Sequence, residues 1–503
     1  MPSCETATRL TQIRLRYLLR FKEAVLANPD LRESPAIEIA IAMDMLIKSP
    51  LPVPSMRQAA AAVALVCAMG AAQAAEPASQ ARPGLAMDMR AAVQAAVAWH
   101  PAVRTAQGQL LGADEGVASA RAGYYPQVKG GLGAQVNNRD VYPYTSRRVY
   151  DASVSVSQML YDFGKVDSAV QQAEASIEVA QAQVYLSTDD VAREAAQAWV
   201  ELRRQQAMVA IAKSQLEGVG ALAELARERQ LKGASTRSDF MQAQSRMDGA
   251  RGQLINYEAQ ARRWQARLMT LTGLQTPPTV SEANTGKGGV PDALPQACAA
   301  VQMQPTAAVR RAQGQRAQAL AELKAADAQL MPTLSVDGSA SRGLNAASRP
   351  AGYPDVDMRV MFNVSAPLFE GGRNQARQRA AGHALEAADA AVANAEFQAR
   401  QSLRDAQDQS LGLLERQPVV DQRIASIRIT RDLYREQYLQ LGTRSLLDLL
   451  NAEQEYHGAR FEQVDSAHDL QRLAVECWYQ SGRLADEFAL DTRLRDRGQG
   501  AMR

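Results

Sequence analysis

The sequence predicts a mixed α/β membrane protein in which each chain supplies four bilayer-spanning β-strands to a shared barrel and two long helical hairpins to a tube. Three observations predict it: an internal duplication, an apolar periodicity sustained over very long helices, and four segments where the period falls to two.

The duplication rests on anchors that Ala-rich composition alone would not produce. Val103-Arg104 and Ala106-Gln107-Gly108-Gln109 recur as Val309-Arg310 and Ala312-Gln313-Gly314-Gln315. Pro126 matches Pro332, Leu160 matches Leu368, Gly164 matches Gly372, and Gly233, Asp239 and Ala243 return as Gly442, Asp448 and Ala452. The offset of roughly 206 to 209 residues is far longer than a solenoid period.

At 503 residues, 46% hydrophobic and 22% charged, the chain is long enough for several cores. Aromatics are only 5%, so Ala and Gln fill the space, which suits helices packed closely along a seam. Met56-Arg57, an apolar run from Ala59 to Met69 and Ala72-Gln73-Ala74 read as a secretory signal over 56–74. Residues 1–55 lie upstream of it, and we read them as an early start with no assigned role. Beyond the signal, basic and acidic residues balance, and nothing points to nucleic acid. Cys67 follows Val66 and lacks the small residue that precedes a lipoprotein cysteine. The mature chain keeps Cys298 and Cys477; an oxidising compartment permits a disulfide, but we read them as two separately buried thiols.

Each copy, 75–272 and 294–482, reads as helix, two strands and two long helices, with a linker at 273–293 and a tail at 483–503. In the first copy Val166, Val170, Ala173, Ile177, Ala180 and Val184 step by four and three, a coiled-coil spacing. The seam continues to Ala226, so a helix from about Lys165 to Leu231 would be on the order of 100 Å long. Gly233 ends it, and a second helix from about Ser235 to Thr272 returns alongside; Gly442 does the same in the second copy. Pro418 is expected to kink or interrupt the second long helix.

The period-two segments fall at about 126–137, 149–160, 332–341 and 358–368. Val128, Leu132 and Val136, then Val154 and Val156, then Leu334 and Val336, then Val360, Phe362 and Val364 alternate with polar or small residues. That length and alternation suit strands facing lipid on one side. Ten of the 26 Phe, Trp and Tyr lie in 124–163 and 332–369, as expected of rings at a membrane interface. Four strands cannot close a barrel, for which at least about eight are needed, so several copies must contribute. Three chains would supply twelve strands.

At this point the chain resembles the TolC-like family of outer-membrane efflux and secretion channels, over roughly residues 85–482. The resemblance rests on Pro126 and Pro332, on the turns Leu160-Tyr161-Asp162-Phe163-Gly164-Lys165 and Leu368-Phe369-Glu370-Gly371-Gly372-Arg373, and on the two hairpin tips. The tip Leu441-Gly442-Thr443-Arg444-Ser445-Leu446-Leu447-Asp448-Leu449-Leu450-Asn451-Ala452 is the most specific. The resemblance implies a homotrimer with a twelve-stranded barrel in the Gram-negative outer membrane and a helical periplasmic tunnel. It further implies a passive duct joined by a periplasmic adaptor (membrane fusion) protein to an inner-membrane ABC or proton-driven transporter. Within the family, the Leu160 to Lys165 turn and the missing lipoprotein cysteine look like the type I secretion branch.

Residue by residue, the resemblance places Asp448 at a ring of carboxylates narrowing the closed periplasmic end, with Asn451 at a second ring position made neutral here. Arg444 and Asp239 match a latching pair, and Gly233, Gly442 and Thr443 fall in the adaptor-docking tips. Leu439 stands where a latch tyrosine is expected, with Tyr438 beside it. Read from the residues alone, Asp448 and Arg444 are solvated helix-start charges favoured by the dipole.

HExxH, paired CxxC and GxSxG motifs do not occur, and His100, His383, His457 and His468 are scattered. The chain is therefore read as no enzyme, with no cofactor or metal. The competing reading is a periplasmic coiled-coil adaptor or scaffold, which needs hairpins but no lipid-facing strands.

Overall fold

A computed structural model describes residues 87–136, 138, 148–278, 298, 303–344 and 356–490. The expected upstream extension, the signal, most of the linker and most of the tail lie outside the described residues. The chain divides into two compact units. One holds 128–155 and 338–360, and the other holds 81–127, 156–337 and 361–503.

Two short helices open the first copy, α1 (Met89–Trp99) and α2 (Pro101–Arg121). The Asp88 carboxylate caps α1 by accepting from Ala91 N at 2.7 Å, and Pro101 starts α2 where a missing amide costs nothing. Strands β1 (Gln127–Val136) and β2 (Arg148–Tyr161) follow, then the long helices α3 (Lys165–Leu231) and α4 (Arg237–Thr272). The second copy repeats the order as α5 (Ala307–Ala328), β3 (Thr333–Gly343), β4 (Asp357–Ser365), α6 (Arg373–Glu436) and α7 (Leu446–Gln480), with a last turn α8 (Leu484–Glu487).

The four strands form one sheet in the order β1-β2-β3-β4. Their even-numbered residues carry most of the apolar side chains, and on β1, β2 and β4 these are largely exposed: Leu132 is 83% and Phe362 77% accessible, with Val128, Val136, Val154, Val360 and Val364 also open, while Leu334 and Val336 of β3 are half-buried. Most odd-numbered residues are polar or glycine, with Val149, Met159, Tyr161 and Met361 the exceptions, and several engage one another. Asp337 accepts from Ser157 Oγ at 2.5 Å and Ser335 Oγ at 3.0 Å. Gly133 leaves room for Asp151, whose carboxylate a Cβ at 133 would meet at 2.3 Å. A sheet with an exposed apolar face and a bonded polar face inverts the usual soluble arrangement. Among the described residues no helix is long and apolar enough to cross a membrane.

Both long helices start from a left-handed glycine, Gly164 at φ 89° and Gly372 at φ 83°. Gly371 precedes the second at φ 64°, whereas the first copy holds Phe163 at φ 57° in that place. Asp162 supports the strained turn by accepting from Gly164 N at 3.0 Å and Val166 N at 2.6 Å. The copies also differ in length. From Gly372 to Gly442 the second is one residue longer than the first from Gly164 to Gly233, and a π-helical turn at Gln437–Leu441 takes up that residue.

Helix α6 runs without interruption through Pro418, so of the expected kink or interruption the break does not occur. Packing on α7, with Val420 only 3% accessible and Gln463 donating to Asp421, holds it through the missing amide. The cysteine expectation is also overturned. Cys298 and Cys477 form a disulfide, with Cα atoms 5.5 Å apart. Both are buried beside Leu403, Ala406 and Leu473, because Cys298 lies against the end of α7. Spacing alone does not encode that contact. Replacing both cysteines by serine is expected to cost about 2–4 kcal/mol of stability, read as a lower thermal midpoint that wild type reproduces only under reductant.

Candidate functional site

The two hairpin tips are built by the same local rules. At the first, Gly233 N donates to Gln230 O at 3.0 Å and Ala234 N to Arg229 O at 2.8 Å, a Schellman ending with Gly233 at φ 72°. Thr236 then caps α4, and Asp239 closes a capping box: Asp239 N donates to Thr236 Oγ1 while Thr236 N donates to the Asp239 carboxylate. Ser235 Oγ adds a third bond at 2.9 Å. The hydrogen bonds from Thr236 and Ser235 hold the Asp239 carboxyl below its ordinary range against a small desolvation effect.

At the second tip Gly442 turns the chain at φ 60°, and Ser445 and Asp448 form the matching capping box, at 3.2 and 3.3 Å. Asp448 is thus first a helix-start residue, as the dipole favours, and its side chain remains 39% accessible. Arg444 lies over the Tyr434 ring at 4.2 Å, donates to Gln437 Oε1 at 3.0 Å and stands 4.0 Å from Asp448. Within one chain these are its partners, and Asp239 is not among them. Gly233, Gly442 and Thr443 are exposed.

The two tips are joined by contacts that sequence reasoning missed. Arg229 of α3 stacks on the Tyr438 ring at 4.5 Å and donates to Tyr438 O at 3.2 Å. Tyr438 is 6% accessible and packs with Leu222, Ala226, Leu446 and Leu450, while Leu439 is 47% exposed. Asn451 accepts from Arg246 of α4 at 3.4 Å, and Arg246 also reaches Gln454. The neutral Asn451 therefore has an arginine already aimed at it. Nothing short of a 200-residue pairing between copies could have flagged Arg229 or Arg246.

Comparisons with known proteins place this geometry. Comparison with curated protein sequences gives no match. Among solved structures, VceC, an outer membrane protein of Vibrio cholerae, is 18% identical with a TM-score of 0.67, over 78% of this chain and 96% of that one. The CmeC outer membrane channel of Campylobacter jejuni is 14% identical with a TM-score of 0.67, over 81% and 90%. The outer-membrane channel OprN is 22% identical with a TM-score of 0.65, over 78% and 89%. At these identities the likeness is one of fold. The family model described as Outer membrane efflux protein matches residues 92–274 and again 304–476. One model matching both copies, across most of the chain and onto the same strands and hairpins, means that the chain belongs to the outer membrane efflux protein family.

Proposed function

We propose that this outer-membrane protein works as a homotrimeric passive duct, closing a twelve-stranded barrel in lipid and opening a helical tunnel to the periplasm. A periplasmic adaptor at the tips would couple it to an energised inner-membrane transporter. The observation that carries the trimer is a half-finished seam. Repeat mates pair at an offset of 208 before the π turn and 209 beyond it. Within one chain α3 packs against α7, burying Ile211 to 4% and Leu450 to 1% and partly covering Leu225 and Val464. Their mates Val419, Met241, Leu433 and Ile255 lie on α6 and α4 and are 66%, 53%, 50% and 56% exposed. The same apolar positions are covered in one seam and open in the other. A neighbouring copy that lays its α4 against α6 covers them, and such head-to-tail contacts close into a ring. The lipid-facing strands and the family separate this reading from a soluble adaptor.

In that ring the Asp448 side chains converge and make a negative constriction that favours cations. Efflux is the role that the family's description supports, and we take small molecules as its cargo. Type I protein secretion is the second reading, favoured by the Leu160 to Lys165 turn. Single-channel recording tests the gate. Asp448→Asn is expected to lower cation selectivity and divalent block while keeping most of the helix cap. Asn451→Asp should raise both by less, since Arg246 already stands against that position and would neutralise part of the added charge. Arg444→Ser should raise conductance by releasing Gln437 and Tyr434. Recordings in which all three match wild type would remove the gate from these positions.

A further inference from the structure

The α3–α7 seam is apolar at both ends of its lower half and polar in between. Towards the tips, Val219, Leu222 and Ala226 meet Leu446, Leu449 and Leu450. Further along, Met208, Ile211 and Ala212 meet Phe461. Between these layers lie Gln215 and Gly218 of α3 and Glu453 and His457 of α7. The three side chains are buried: His457 is 1%, Gln215 8% and Glu453 9% accessible.

The layer is built around a carboxylate. The imidazole donates through Nε2 to Glu453 Oε1 at 3.0 Å, and Arg431 of α6 stands 3.8 Å from Oε2. Gly218 supplies the space, since a Cβ there would sit 2.2 Å from Glu453 Oε1. Bonding is incomplete, because His457 Nδ1 and Gln215 Oε1 are buried with no hydrogen-bond partner among the described residues. Such a layer stabilises a seam less than the apolar residues that would fit it. Within one chain the repeat mates of Glu453 and His457, Gln244 and Asp248, pair on an exposed face of α4.

We propose that Gln215, Gly218, Glu453 and His457 are a polar catch that keeps the α3–α7 seam separable, so that the tip of α7 can part from α3 when the duct opens. The catch fixes register when closed, because only Gly218 admits the carboxylate. It also keeps the closed state shallow, because two buried polar atoms lack partners. The proposal rests on the channel reading above.

Two substitutions in the layer should act with opposite signs. Glu453→Leu with His457→Leu makes the seam continuously apolar, and should raise the Tm of the detergent-solubilised protein while lowering the frequency of opening in planar bilayers by about tenfold. Gly218→Ala expels the carboxylate from its place, and should lower Tm and make opening more frequent. Opposite shifts in both readouts support the catch. A lower Tm or failed assembly of the apolar variant, a higher Tm with unchanged opening, or shifts of one sign in both variants overturn it. If wild type gives no channel at all, the channel reading falls and the catch with it, which separates the two failures.

Discussion

Met241→Glu is expected to leave the chain as a monomer in mild detergent, where wild type gives three chains per particle by mass measurement. Met241 is 53% exposed in one chain, so the substitution costs the isolated fold little. In the ring it would be repeated at every junction between copies, each placing an unpaired carboxylate in an apolar seam at about 3–5 kcal/mol. Val419→Glu on the opposing face should do the same, and Met241→Leu should assemble normally. The repeat mate gives the contrast: Leu450→Glu strikes a position 1% accessible within the chain and should unfold the protomer itself. A trimer persisting in both Met241→Glu and Val419→Glu would place the subunit contact elsewhere.

The second large effect concerns lipid. Leu132 is 83% exposed, and on a soluble sheet Leu132→Arg would be close to neutral. On the lipid face of a barrel it should cost about 2–4 kcal/mol, depending on depth. Ser155→Arg, on the polar odd-numbered face, should cost far less. Unfolding midpoints in denaturant, measured on protein inserted in phospholipid vesicles, decide the matter. Equal shifts for the two would mean that the even-numbered face does not meet lipid.

What the sequence makes legible is whatever repeats at short range. Alternation at Val128, Leu132 and Val136 marks β1 because the pleat turns every second side chain to one face. Gly233 and Gly442 mark the helix ends because each sits at positive φ. The capping boxes at Thr236 to Asp239 and Ser445 to Asp448 also lie within four residues, and the helix-start reading of Asp448 anticipates the second of them. Contacts between copies were out of reach. Arg229 on Tyr438, Arg246 on Asn451 and Glu453 against Gly218 each join residues more than 200 apart, and no local pattern announces them. Pro418 misled for the opposite reason. Its local penalty is real, but α6 is held by neighbours along its length, and tertiary packing overrides one missing bond.

The disulfide bears on when the chain can finish folding. Its cysteines are 179 residues apart, one at the threshold of the second copy and the other near the end of its last long helix. The link cannot form during emergence of the first copy, nor while β3, β4 and α6 are still being delivered. Oxidation is thus a late event that marks arrival of the whole second half, and a protomer truncated before Cys477 would carry a free thiol at Cys298. Quality control that senses such thiols would have a direct way to tell complete subunits from unfinished ones before they meet their neighbours.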